Sequence, residues 1–253
     1  MMLENRIGLV VGVANEHSIA TGCARAFARE GATLALTYMN DRALPHVKPV
    51  ADPVDAADLM PLDLAVPAQI DAVFDTIAQR WGRLDFLLHS VAYCPKEDLH
   101  GRVVDCSAEG FAQAMDISCH SFLRLARKAE PLMRDGGSLL TVSYYGSQKV
   151  VDQYNIMGPV KAALEASTRE VATEVGPQGI RANVLSPGPI ATRAASGIEH
   201  FDELIQDARD HAPERRLVTI DEVGEMAAFL ASDRASGVTG TICYVDGGRH
   251  VRM

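Results

Sequence analysis

Short runs of apolar residues alternate with longer stretches in which apolar positions recur every three or four residues, and this alternation continues along the chain. The first run, Ile7-Gly-Leu-Val-Val11, contains no polar residue, as a strand buried on both faces requires. A glycine-bearing turn follows, and a helical period occupies 18–30 until Gly31 closes it. Further strands are expected at 32–37, 59–62, 84–89, 138–143, 180–185 and 241–245. Helices are expected at 67–80, 107–133, 155–175, 199–211 and 221–231. Pro45, Pro49 and Pro53 leave only a short or broken helix within 41–57. Six or seven strand–helix alternations predict a parallel sheet covered by helices on both faces. Right-handed crossovers then allow a doubly wound open sheet or a closed barrel. No linker-like change of composition and no repeat divides the chain, so one domain over 1–253 is expected.

Composition narrows the partners more than the fold. Aromatics are only 6% of the chain, so the core must be built from Ala, Val, Leu and Ile. Acids outnumber bases 33 to 24, for a formal charge of −9, which argues against binding nucleic acid, where clustered Lys and Arg are needed. Cys23, Cys94, Cys106, Cys119 and Cys243 are scattered and form no C-x-x-C pair. Neither a disulfide framework nor a metal site is therefore expected, and a reducing cytoplasm is the natural setting. The apolar run 7–14 is too short to span a bilayer, and Glu4 stands where a leader would carry a basic residue. It reads as a buried first strand, with no membrane association expected.

The candidate chemistry lies at the carboxyl ends of the strands, the edge on which open α/β sheets bind ligands. After the first strand comes Gly12-Val-Ala-Asn-Glu-His-Ser18-Ile19, a glycine-containing loop leading into a helix N-terminus. Such a loop suits a dinucleotide pyrophosphate, although a plain strand-to-helix turn fits it equally. Ser18 is a plausible N-cap in both cases. The second strand ends at Met39, which offers a cofactor 2′-position neither an acid nor a base, while Asp41 and Arg42 lie slightly late. NADH against NADPH is thus undecided by these residues. Asp63-Leu64 and Ser90-Val91-Ala92 end the third and fourth strands on the same edge.

Two tyrosine–lysine pairs follow the fifth strand. A nearby ammonium can lower a phenol's pKa and make it a proton donor. Tyr145 and Lys149 are four apart, the spacing of ordinary short-chain dehydrogenases, but lie in glycine-containing sequence without a helical pattern. Tyr154 and Lys161 are seven apart, two helical turns, at the start of an amphipathic stretch, and are the preferred pair. Tyr154 also fits a half-buried helix tyrosine, and Pro159 threatens a kink in the first turn. His89 reads as a satisfied core histidine, and Cys94 as a pocket-lining residue without a cationic setting to activate it.

At this point the chain resembles the bacterial enoyl-acyl-carrier-protein reductases, a divergent branch of the short-chain dehydrogenases with the wider Tyr-x6-Lys spacing. The motifs are Ser143-Tyr-Tyr-Gly146, Tyr154-Asn-Ile-Met-Gly158, Lys161-Ala-Ala-Leu-Glu-Ala166, Gly12 to Ala20, His89-Ser-Val91, Ser186-Pro-Gly-Pro-Ile190-Ala-Thr192, Ala194-Ala-Ser-Gly-Ile198 and Val245-Asp-Gly-Gly248. The resemblance implies a doubly wound Rossmann-type sheet in a single domain. It implies reduction of the C=C bond of an enoyl thioester in fatty acid biosynthesis, with NADH preferred. Gly12, Ser18, Ile19, Asp63, Leu64, Val91 and Lys161 would bind the cofactor, beside Met39, Ser90 and Ala92. Ile190, Ala191, Thr192, Arg193 and Ala194 would cover its nicotinamide and pyrophosphate end. Tyr154 and Tyr144 would be the catalytic tyrosines, and the backbone at Cys94 would face the acyl group. A homotetramer in the cytoplasm is implied too. Two other readings on the same fold are a carbonyl-reducing dehydrogenase and a non-catalytic NAD-binding sensor.

The chain departs from that family's pattern at Met39, where glutamine is usual, and in one longer segment. Where the resemblance leads one to expect lysine and arginine, residues 199–210 carry five acids and one arginine. An ordinary solvated helix face accounts for this. An acidic acyl carrier would nevertheless be repelled there.

Overall fold

The computed structural model describes residues 1–190 and 201–252. Among the described residues seven strands form one sheet: β1 (Ile7–Val11), β2 (Thr33–Tyr38), β3 (Asp58–Pro61), β4 (Phe86–His89), β5 (Gly137–Val142), β6 (Ile180–Pro187) and β7 (Ile242–Val245). Their order is β3-β2-β1-β4-β5-β6-β7 and every pairing is parallel. The sheet is therefore open and doubly wound, which removes the barrel alternative. The strand order reverses between β1 and β4, and the crevice at such a switch point is where this fold holds ligands.

The helices are α1 (Ile19–Arg29), α2 (Leu44–Ala51), α3 (Pro67–Trp81), the single turn α4 (Lys96–Leu99), α5 (Ala108–Met115), α6 (Ser121–Ala129), α7 (Met157–Val175), α8 (Phe201–His211) and α9 (Ile220–Ala231). Two apolar clusters fill the spaces above and below the sheet. Successive strand residues serve them alternately: Leu9 and Val11 belong to one, Val10 and Leu36 to the other. This is why the strands read as continuous apolar runs. The first cluster contains residues of α3, α6 and α7, and the second residues of α1, α2 and α9.

Two expected helices differ in detail. The stretch 107–133 is not one helix: a π-helical turn, Asp116–His120, separates α5 from α6. That wide turn brings Ser118 to the backbone of Tyr93, where its hydroxyl donates to the carbonyl at 2.9 Å and accepts from the N–H at 2.8 Å. The helix expected from residue 155 begins instead at Met157. Gln153 and Asn155 both adopt left-handed backbone, with φ of 62° and 45°, so a turn precedes it. Pro159 is the third helical residue, where the N–H has no partner within the helix, so it is accommodated without loss.

Candidate active site

The carboxyl edge at the β1–β4 switch point is shaped by backbone contact. Gly12 has φ of +105°, and a Cβ there would run into the carbonyl of Ser90 in the loop after β4. Only glycine lets these two loops lie side by side. Ser18 takes the N-cap position of α1 in extended conformation, but its side chain does not cap the helix as expected. Its hydroxyl instead donates to Asn15 O at 2.9 Å and lies 2.9 Å from Thr21 Oγ1, stiffening the loop. The first amides of α1, beginning at Ile19, face outward from this helix end, which is a ready anion site.

Along the same edge, β5 delivers Ser143, Tyr144 and a short 3₁₀ turn, Tyr145–Ser147. Tyr144 is the hub of an aromatic group, with ring centroids 4.8 Å from Tyr145 and 5.0 Å from Tyr154. Gly146 makes this approach possible: a Cβ there would stand 2.6 Å from the Tyr154 ring. Tyr154 thus sits in the turn ahead of α7 rather than on the helix face. Among the described residues the buried Tyr144 hydroxyl makes no well-formed hydrogen bond, with the Tyr145 side chain its polar neighbour. Burying an unpaired donor is costly, so a polar group of a bound molecule fits there.

Lys161 lies on α7, 4% exposed, with Nζ donating to Val142 O at 2.7 Å. Burial pulls its pKa down to about 8, against the opposing pull of Cys119 and Glu165. The expectation that Lys161 lowers the Tyr154 phenol is not met. Burial pushes Tyr154 upward and the Glu165 carboxylate adds to it, so the phenol keeps its proton throughout the ordinary pH range. Tyr154 can therefore act as a neutral hydrogen-bond donor. Burial first, then the neighbouring Tyr145 and Tyr154, raise Tyr144 likewise. A protonated phenol pair, on the edge where the Lys161 ammonium reaches Val142 O, suits an oxygen that gains negative charge.

Comparison with known proteins identifies the family. A family model described as enoyl-(acyl carrier protein) reductase matches residues 12–250. The chain belongs to this family. It is 45% identical to the enoyl-[acyl-carrier-protein] reductase [NADH] 1 of Rhizobium meliloti over 249 residues, covering 98% of this chain and 92% of that one. It is 43% identical to the enzyme named FabI of Synechocystis over 252 residues, covering 98% of each chain. Among solved structures, the Anaplasma phagocytophilum reductase in complex with NAD superposes with a TM-score of 0.96 at 45% identity, covering 99% of this chain and 96% of that one. The Bacillus cereus reductase, with NADP+ and indole naphthyridinone, also gives 0.96, at 40% identity and covering 99% and 98%.

Within this reductase fold, the residues singled out from sequence lie at the carboxyl ends of their strands. Met39 is 55% exposed beyond β2. The Asp63 carboxylate accepts from Ala65 N–H at 2.9 Å, whereas the Leu64 side chain is packed in the core and leaves only its backbone for a ligand. Ser90 and Val91 are half-buried and Ala92 exposed. The Ile190 side chain packs against the second core cluster. Ala191, Thr192, Arg193 and Ala194 lie outside the described residues. The alternative pair is set aside by Lys149, which is exposed. His89 is a satisfied core residue, 2.8 Å from both Thr141 Oγ1 and Ser121 Oγ, and burial, with Lys161 nearby, pulls its pKa to about 3. Burial, Asp98 and Cys106 push the Cys94 thiol up to about 11, so it is no nucleophile at neutral pH.

A dinucleotide fits what is present: the Gly12 cradle and the α1 amide end lie together at the carboxyl edge of the sheet. Among the described residues no group of His, Cys, Asp or Glu could hold a metal, and no helix is long and apolar enough to cross a membrane. The sequence motifs give no role to Glu165, Ser118 or Arg249. An acid four residues after Lys161 was the available signal for Glu165. Nothing in the sequence marked Arg249, whose guanidinium lies 5.8 Å from the Tyr145 ring and pairs with Asp207 at 2.8 Å.

Proposed function

We propose that this protein reduces the C=C bond of enoyl thioesters, delivered on an acyl carrier protein, with NADH in fatty acid biosynthesis. The observation that carries the reading is the Tyr144–Tyr154 pair at 5.0 Å on the carboxyl edge, with the buried Lys161 on the helix that follows. The nicotinamide cofactor, when bound, supplies the hydride. As the β-carbon is reduced, negative charge develops on the thioester oxygen, and the Tyr154 hydroxyl donates a hydrogen bond to it. Tyr144 frames the acyl pocket, along with the backbone at Cys94. Lys161 holds the cofactor ribose and supplies positive potential. Gly12, Ser18, Ile19, Asp63, Leu64, Ser90, Val91, Ala92 and the segment 190–194 hold the rest of the cofactor. A proton added at the α-carbon completes the saturated product.

Met39 brings no charge to the adenosine 2′-position, which supports NADH over NADPH. Assembly as a homotetramer in the cytoplasm belongs to the same reading. Support comes from Val103, Val104 and Phe111, apolar side chains 48%, 75% and 43% exposed, and from cysteines that are all free. Light scattering of the purified protein checks the assembly. The test of the activity is turnover of NADH and NADPH against enoyl thioesters of increasing length, with ketones as the contrasting substrates. Faster turnover of enoyl thioesters with NADH is expected. Reduction of ketones alone would assign the site to carbonyl chemistry, and binding of NADH without turnover of either class would make it a sensor.

A further inference from the structure

Glu165 is a carboxylate 4% exposed on α7, one helical turn beyond Lys161. Burying a charge is costly unless hydrogen bonds satisfy it. Here two hydroxyls converge on one of its oxygens: Ser143 Oγ and Ser147 Oγ each donate to Oε1 at 2.6 Å. Those two serines bracket Tyr144, Tyr145 and Gly146. Ser143 ends the β5 side of the segment, and Ser147 closes the 3₁₀ turn through its N–H to Tyr144 O at 3.0 Å. The carboxylate therefore holds both ends of the segment that carries Tyr144, and holds them to the helix that carries Lys161.

We propose that Glu165 is a positioning residue of this active site, tying the Ser143–Ser147 turn to α7 so that Tyr144 and Tyr154 stay in register with Lys161. The proposal rests on the reductase reading of the tyrosines. An amide or a well-packed apolar group could serve a purely structural tie at lower desolvation cost. The charge has a second effect, because its potential supports the Lys161 ammonium against burial. The charged and titratable groups felt at Lys161 are Glu165, Cys119 and His89, and those that feel Glu165 include Tyr154 and Tyr244.

The experiment compares Glu165→Ala, Glu165→Gln and Ser147→Ala in the full chain, by amide hydrogen exchange across 143–149 and by steady-state kinetics with NADH and crotonyl thioester. In mildly acidic buffer, where Lys161 keeps its proton, Glu165→Ala should lower kcat by about tenfold to a hundredfold. Its KM for NADH should stay within about twofold, and exchange at Ser147 and Gln148 should quicken about tenfold or more. Glu165→Gln retains an acceptor oxygen, so it should restore slow exchange and most of the lost kcat while moving the alkaline limb of the pH profile to lower pH. Ser147→Ala removes one tie without touching the carboxylate, and should shift exchange and kcat in the Ala direction even if Glu165→Ala does not fold. Wild-type exchange in both Glu165→Ala and Ser147→Ala, or Glu165→Gln as impaired as Glu165→Ala in acidic buffer, would overturn the proposal. A wild-type protein that turns over no enoyl thioester would instead sink the reductase reading, and the exchange measurement would still decide the tie.

Discussion

Lys161 is an ammonium kept in the interior by one carbonyl oxygen, and its pKa stands at about 8 against an ordinary 10.5. The folded protein therefore loses this proton as pH rises through about 8, whereas the unfolded chain keeps it until about 10.5. Below pH 8 the charge is buried at full cost, and between the two values stability from this group rises with pH as the cost is relieved. Activity runs the other way. kcat/KM for NADH, which reports the free enzyme, should fall as pH rises through about 8, and Lys161→Met should be low and lack that limb. A wild-type limb as late as an unperturbed lysine's would contradict the assignment. The spacing of Tyr154 and Lys161 made the pair legible in the sequence. The place of Tyr154 ahead of the helix was not, because the left-handed residues are Gln153 and Asn155, neither of which is a glycine. Glu165 was not marked in the sequence because it lies at the border of the single buried stripe of α7, where a polar residue reads as the start of the solvated face.

Elements were legible where apolar period and end signals agree. The α9 helix shows both: Thr219 accepts from Glu222 N–H at 3.2 Å while the Glu222 side chain accepts from Thr219 N–H at 2.8 Å. Arg216 completes the group, with nitrogens 2.7 and 2.9 Å from the Glu222 carboxylate. The Arg216 hydrogen bond first, then the Thr219 N–H, hold the Glu222 pKa down to about 2, below its ordinary 4.5. Stability from this cap is thus complete above pH 4.5 and is lost as pH falls through about 2. Thr219→Ala should cost about 1 kcal/mol at neutral pH, read as a lowered denaturation midpoint. Because Oγ1 accepts from an amide, this loss should persist in acid, whereas Glu222→Gln should remove the acid-dependent part; a wild-type-like fall in stability toward pH about 2 in Glu222→Gln would place that part elsewhere than Glu222. The π-helical turn at Asp116–His120 was invisible, because one extra residue in a turn barely disturbs a 3.6-residue period over 107–133.

For the whole molecule, strand–helix alternation fixed a parallel sheet but not whether it closes. That depends on strand order, and the reversal between β1 and β4 has no local signal. The overall charge of −9 and the acidic 199–210 segment bear on the carrier. On α8, Asp207 is partly neutralised by Arg249 at 2.8 Å, so the repulsive charge there is smaller than the sequence count implies. Either weak discrimination between enoyl-carrier-protein and enoyl-CoA, or docking of the carrier away from this segment, is expected, most clearly at low salt, where the screening length exceeds about 10 Å. Charge reversal in Glu199→Lys/Asp202→Lys/Glu203→Lys should raise kcat/KM for the carrier-bound substrate, and added salt should narrow the gain. Strong wild-type preference for the carrier at low salt, unaltered by the reversal, would contradict electrostatic repulsion.

The most direct test of the central claim is NADH consumption with an enoyl thioester by wild type and Tyr154→Phe, with NADH affinity measured in parallel. Removing only the hydrogen-bond donor should lower kcat by about two to three decades while NADH binds as before. A Tyr154→Phe protein with near wild-type kcat would remove Tyr154 from the reaction and with it the mechanism proposed for this site.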